Sequence, residues 1–420
     1  MLIKSLTFMR STSLCQLLKI ALGLVLLASC KKENNISEDV AKTQKLQAIA
    51  DSMRLEVNKL VGLPIPGMHF YLEGPKGSFF ISTADDDTKK LTANHWFRMA
   101  SITKHFTSVA ILNMQEDGWL NIDDTITSFI PGTNLPYVPN TPSWDIPHKE
   151  KITIKQLMSH TAGVFDSDNE EIPALGQTFT NYKLNINPNY TFTTEDFTSF
   201  NASNNLSYFE PGTGYHYSNV GYSMLATIIS RVYSIKQQVD RSYADYMHNV
   251  VVAGVPNIKG LIRFPDLASE NKIPSPGTDG MIYTVKKDTI RITSFNPSLL
   301  IGQGNGQATI KAVHDWFRAN MKGNGVLKLN TLQLISTPFV PDFSGSEYTF
   351  GTQIIGNLGI GHAGDRVGNS CFIAYDKATD ISILGYIPFW DLTDGQNSLV
   401  NNCILPLYYT MEYMSKELLN

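Results

Sequence analysis

The chain has 420 residues, 42% apolar and 17% charged, which is enough material for a large buried core and two or three domain-sized units. That composition excludes a disordered or fibrous chain. The net charge is −4 and no block of lysine and arginine stands out beyond the N-terminus, so no nucleic-acid partner is expected.

The first thirty residues, MLIKSLTFMRSTSLCQLLKIALGLVLLASC, place Lys4, Arg10 and Lys19 ahead of an apolar stretch, Ile20 to Ala28. That stretch is short for a membrane span and has the layout of an export signal. Its end, Leu27-Ala28-Ser29-Cys30, resembles a bacterial lipobox. The resemblance implies that residues 1–29 are removed and that Cys30 is lipidated, holding the body of the protein to a membrane. Lys31 and Lys32 follow in place of an aspartate, which points to the outer membrane, with a periplasmic or surface-facing body. Residues 30–45 are polar and read as a tether.

A helix is expected from Leu46, with Ile49, Met53, Val57 and Leu60 on one face and Gly62 and Pro64 closing it. MHFYLEGPKGSFFIS reads as a hairpin turning at Gly74 to Gly77. Trp96 to Ala100 reads as a buried strand that passes directly into a helix over 101–117. Residues 46–135 form the first part of an α/β domain on this reading. Residues 136–300 are rich in proline, asparagine and threonine loops between helical patterns such as 153–159 and 220–233, and are expected to form a mainly helical inserted domain. Strand patterns return in 301–420, at EYTFGTQII, SCFIAYD and DISILGYI, before a closing helix over 398–418. The expected fold class is therefore α/β (α+β). An antiparallel sheet built from both chain ends is flanked by helices, and the site lies where that sheet meets the insertion.

Three short motifs carry chemistry. Ser-x-x-Lys occurs at Ser29/Lys32, Ser101/Lys104 and Ser269/Lys272, and only Ser101/Lys104 opens an amphipathic helix. There the two side chains share a face at i, i+3. A serine hydroxyl becomes a nucleophile when a neighbouring base takes its proton, and a lysine whose pKa is lowered by burial can be that base. The plain alternative is Ser101 as a helix cap and Lys104 as a surface lysine. Tyr217-Ser218-Asn219 is the single Tyr-x-Asn, just before an apolar helical run. A phenol beside a lysine could lose a proton or pass one to a leaving group, and an asparagine amide offers a donor and an acceptor. A loop with a helix cap would read the same way. His362-Ala363-Gly364 is the single His-x-Gly, at a strand pattern where Gly364 would let a substrate backbone approach.

In this order and setting the three motifs resemble those of the penicillin-binding serine hydrolases. That superfamily takes in class C β-lactamases, D-alanyl-D-alanine carboxypeptidases, esterases and D-aminopeptidases. QLMSHTAGVFD, YFEPGTGYHYSNVGY and GQGNGQATIKAVHDWF add to the likeness, which spans about 65–390. The resemblance implies an acyl-enzyme on Ser101, with Lys104 and Tyr217 shuttling its proton. Asn219, His362 and Gly364 would bind substrate, and the backbone N–H groups of Ser101 and Asp365 would form the oxyanion hole. It implies a peptidase-like or esterase activity on a small-molecule or peptidoglycan-type substrate, with no cofactor and no metal. A true β-lactamase and a silent cell-wall ligand-binding module are the alternatives.

Two departures stand out. Histidine takes the place of the usual third-motif lysine, and a neutral imidazole anchors a carboxylate weakly. Asp365 would repel an oxyanion if its carboxylate turned inward, unless Arg366 paired with it. Gly302 to Gly306 lacks the spacing of a dinucleotide loop. His160 reads as a hydrogen-bonded structural residue and His105 as a helix-face residue. Cys371 and Cys403 are either a disulfide or two buried thiols.

Overall fold

The computed structural model describes residues 38–85, 89–337, 340–341 and 347–420. The expected export signal, the expected lipidation site Cys30 and the start of the expected tether lie outside the described residues. Among these residues no helix is long and apolar enough to cross a membrane.

The centre of the molecule is an eight-stranded antiparallel sheet. Its strands are β1 (His69–Gly74), β2 (Gly77–Ser82), β3 (Val340–Pro341), β4 (Glu347–Tyr348), β5 (Gln353–Ile354), β6 (Ile360–Arg366), β7 (Asn369–Asp376) and β8 (Ile381–Ile387). The order across the sheet is β2-β1-β8-β7-β6-β5-β4-β3. The first hairpin therefore joins the last strand, with His69 opposite Tyr386 and Glu73 opposite Ser382. Both chain ends build one sheet, as expected.

Strand alternation divides the core in two. On one face Phe70, Leu72, Phe372, Ala374 and Ile383 meet two helices, α1 (Glu38–Val61) and the closing helix Leu405–Leu419. On the other, Tyr71, Cys371, Ile373, Leu384 and Tyr386 join the larger core that runs into the inserted region. There lie α2 (Thr103–Glu116), α3 (Asn219–Gln237) and α4 (Ile310–Met321). Every residue of α2 from Thr103 to Met114 is buried, so this helix has no solvent face.

Three expectations need correction. Residues 38–45 are helical and not a tether: α1 starts at Glu38 because Lys42 folds onto Glu417, donating to its backbone oxygen at 2.8 Å. The 136–300 region also holds a β-hairpin, Gly280–Tyr283 with Thr289–Ile292, which joins Phe389–Asp391 in a separate small sheet. His105 is not a surface residue of its helix. It is fully buried among Trp316 and Phe317, with ring centroids 5.5 and 5.0 Å away, and burial lowers its pKa to about 3. Cys371 and Cys403 are free buried thiols on opposite faces of the sheet.

Candidate active site

Ser101 sits where the short strand Trp96–Arg98 gives way to helix. A single 3₁₀ turn, Ala100–Ile102, leads into α2, and Ala100 ahead of the serine has a left-handed φ of 47°. That conformation is unfavourable for a residue with a Cβ and is held only where the surroundings impose it. Gly364 helps to impose it: a Cβ there would stand 2.4 Å from the Met99 carbonyl oxygen and 3.4 Å from the Ala100 Cβ. The sequence reading gave this glycine to the substrate backbone; the structure gives the space to the nucleophile turn instead.

Lys104, one helical turn on, is wholly buried. Its Nζ lies 3.1 Å from Ser101 Oγ and donates to Asn219 Oδ1 at 2.7 Å and to the Gln303 backbone oxygen at 2.9 Å. Burial lowers its pKa from 10.5 to about 7, against the pull of Asp166 and Asp168 and with the help of Arg366. A neutral amine has two N–H bonds and one lone pair. The two carbonyl oxygens can only accept, so they take the two N–H bonds. The lone pair is left for the Ser101 hydroxyl, which can donate.

The Tyr217 ring lies under that amine, 4.7 Å from Nζ to its centroid, with Ser101 beside its hydroxyl. Burial pushes the phenol well above 10, against the lowering influence of Ser101. Tyr217 is thereby favoured as a phenol, and Lys104 is the base that the geometry offers.

Asn219 is positioned because Ser218 caps α3, accepting from the Gly221 N–H at 3.2 Å. Both ends of its amide are turned inward: Oδ1 accepts from Lys104, and Nδ2 reaches Asp168 Oδ2 at 3.4 Å. Asn219 thus orients the lysine, with one N–H of its amide directed at Asp168. Asp168 is a residue that sequence reasoning missed. It also accepts from Gln303 Nε2 at 3.4 Å and from Thr180 at 2.9 Å, and lies 3.8 Å from Arg366. Asp166 lies close by, its pKa raised first by burial and then by Asp168. One carboxylate therefore sets both amide-bearing residues that hold Lys104, Asn219 and Gln303. Gln303 belongs to the Gly302–Gly306 loop; its glycines, set aside as a dinucleotide motif, let that loop run against the nucleophile turn, where Gly306 O accepts from the Met99 N–H at 2.9 Å.

His362 is on the correct face of β6 but only 1% exposed. Its Nδ1–H bonds to its own Ala363 carbonyl oxygen, and Nε2 accepts from the Tyr348 hydroxyl at 3.1 Å. Burial, then the charge of Lys104, lowers its pKa to about 3. It is neutral and covered, so the expected contact with a substrate carboxylate is corrected. The covering Tyr348 comes from the two-residue strand β4, which falls within the expected strand pattern EYTFGTQII. His160 holds the same wall: its Nδ1 accepts from the Ser218 N–H at 3.1 Å, and its ring lies 4.2 Å from that of Tyr217. Asp365 alternates away from Ser101, and burial raises its pKa to about 6 against the lowering influence of Ser370. Arg366 does not pair with it but turns to Asp168 and lies over the Phe295 ring, 4.8 Å from the centroid.

The site therefore combines a serine hydroxyl, a buried amine facing it and a protonated phenol. Among the described residues around Ser101 no set of groups has metal-ligand geometry; the one such cluster, Glu73, His314 and Asp315, lies elsewhere.

Comparisons with known proteins bear on the fold and the family. The D-amino acid amidase from Ochrobactrum anthropi SV3, complexed with L-phenylalanine amide, superposes with a TM-score of 0.68. Identity is 18%, covering 90% of this chain and 99% of that one. The D-stereospecific amidohydrolase from Streptomyces sp. gives 0.64 at 19% identity, covering 81% and 94%. Penicillin-binding protein 4* of Bacillus subtilis (strain 168) is 30% identical over 165 residues, 38% of this chain and 29% of that protein. The chain thus spans less than a third of the length of the curated relatives it matches. The model of the beta-lactamase family matches residues 76–387, well over half of the chain, and the chain belongs to that family.

Proposed function

We propose that this protein is a serine hydrolase that cleaves an amide through an acyl-enzyme on Ser101, with a peptide or amino-acid amide as substrate. One observation carries the reading: the buried Lys104 amine has both its N–H bonds committed to carbonyl oxygens and its lone pair at the serine hydroxyl. Lys104 takes the Ser101 proton as Oγ attacks the carbonyl carbon, and the backbone N–H groups of Ser101 and Asp365 receive the oxyanion. The Tyr217 phenol passes its proton to the leaving nitrogen and is reprotonated from the lysine. Water then attacks the ester carbonyl, and the same groups return the proton to Ser101. Asp166 and Asp168 steady the ammonium while it lasts.

The substrate class draws support from the amidase and amidohydrolase neighbours and from the penicillin-binding relative. The absence of Lys-Thr-Gly and the neutral, covered His362 weigh against a true β-lactamase. Mass spectrometry of the intact protein after treatment with a fluorophosphonate tests the reading. One adduct is expected in the wild type and none in Ser101→Ala. A wild type that stays unlabelled refutes it, and faster turnover of p-nitrophenyl esters than of D-amino-acid amides reassigns it to an esterase. The same reading holds the body to a membrane through a lipidated Cys30, supported by the likeness of Leu27-Ala28-Ser29-Cys30 to a lipobox. Metabolic labelling with a palmitate analogue, lost in Cys30→Ala, checks that part.

A further inference from the structure

Asp365 turns its backbone and its side chain in different directions. On β6 the side chains of His362, Gly364 and Arg366 share the Ser101 face, so the Asp365 carboxyl lies on the far face of the sheet. The Gly359 carbonyl oxygen accepts from the Ile355 N–H at 2.8 Å, and Gly361 pairs with Gln353. Odd-numbered residues of β6 therefore aim their backbone groups at the edge shared with β5. β5 covers only Ile360 and Gly361 there. Among the described residues no strand pairs with that edge at Asp365, and its N–H opens toward the site.

The carboxyl on the far face is poorly provided for. Asp365 stands opposite Ser370, and Ser370 opposite Ile387. Ser370, whose Oγ accepts from Trp390 Nε1 at 2.9 Å, is the neighbour that favours the ionised acid. Asp365 Oδ1 is buried without a hydrogen-bond partner. The titratable groups around it are two thiols, Cys371 of β7 and Cys403 of the turn Val400–Ile404, both kept neutral by burial. Behind Cys403 lies Asp391, whose carboxylate accepts from Thr393 and Asn402. Arg366, the next residue of the strand, faces Asp168 on the other side. Among the described residues no cation acts on this carboxyl. Burial without a counter-charge favours the neutral acid. Ionised, the group would set a negative charge one residue away from the oxyanion its own N–H has to stabilise, where little water screens it.

We infer that the Asp365 carboxyl is a brake on the oxyanion hole. As a neutral acid it leaves the Ser101 and Asp365 N–H groups their full pull on the oxyanion, and as a carboxylate it opposes that pull. This rests on the serine-hydrolase reading and adds to it a residue that tunes the rate without touching substrate. Acid releases the brake, whereas Lys104 has to lose a proton, so the two groups work against each other. The lysine dominates. Its neutral fraction grows on the order of a hundredfold from pH 5 to 8, against about tenfold removed by the brake.

Stopped-flow fluorophosphonate labelling of Ser101 from pH 5 to 8 tests this, on the full-length wild type and on Asp365→Asn, an isostere of the neutral acid. The ratio of variant to wild-type rate should climb about tenfold across that range, with its midpoint near pH 6. Lys104 responds to Asp166, Asp168 and Arg366, so its titration is common to both proteins and cancels in the ratio. Ser370→Ala is the second variant, for the case in which Asp365→Asn does not fold. It removes the group that favours the carboxylate, so the brake sets in at higher pH. Its ratio to wild type should rise above pH 6 and fall back once both carboxyls are ionised. A merely structural role scales the rate by one factor at every pH, so flat ratios overturn the inference. Labelling with flat ratios sinks the brake alone, and no labelling of any of these proteins sinks the hydrolase reading and the brake with it.

Discussion

At one end of the strand behind Ser101 the wall is made of rings: His362, Tyr348, His160 and Tyr217, packed with centroids 4.2 to 6.5 Å apart and holding no net charge. At the other end Arg366, Arg98 and Asp168 bring formal charges to the same depth. The difference shows how one buried lysine can be kept neutral and still be held in place. The rings deny the ammonium solvation, while the charged end, through Asp168, fixes the two carbonyl oxygens that hold the amine. Dry packing sets the protonation state, and the polar relay sets the direction.

Substitutions at the two ends should therefore fail differently. The largest effect lies between them. Lys104→Met removes the base and should lower the rate of Ser101 acylation by about 10²–10⁴-fold, measured by stopped-flow labelling. In the wild type the same measurement should rise with pH through about 7, because the amine must be unprotonated. A flat profile from pH 5 to 9 would contradict that assignment. Asp168→Asn probes the charged end. It should cost about tenfold in rate, since the relay loses one of its two acceptor oxygens and the charge with it. It should also move the acid limb to lower pH, because Asp168 raises the lysine's pKa and its removal lets that value fall. A limb that moves upward would mean that Asp168 acts through something other than charge. The smallest effect on rate belongs to the ring end. Tyr348→Phe leaves the buried His362 Nε2 without its donor, so it should cost about 1–3 kcal/mol of stability in urea unfolding and leave the position of the limb unchanged.

Much of this site was legible because its spacing is local. Ser101 and Lys104 share a helix face by the period of the helix alone, and Tyr217 and Asn219 stand at a helix start that Ser218 caps. His362, Gly364 and Asp365 follow strand alternation, which correctly turned the Asp365 side chain away. The rest depends on partners far away in sequence. Nothing near His362 shows that Tyr348 covers it, and nothing near Asn219 shows that Asp168, 51 positions earlier, takes its amide. The Gly302–Gly306 loop was visible as a run of glycines, but its use became clear only where its carbonyl met an amine 199 positions away. The extra turns of α1 have the same cause, since Lys42 finds Glu417 across 375 positions.

The pairing of β1 with β8 also bears on when this protein can first act. The nucleophile turn is synthesised early, yet β6, which closes on Met99 and Ala100, and β8, which ties the first hairpin into the sheet, emerge near the end. Contacts at such separation form late and slowly. A nascent chain thus carries Ser101 and Lys104 through most of translation without the wall that dries the amine. Competence has to wait for the C-terminal strands to dock.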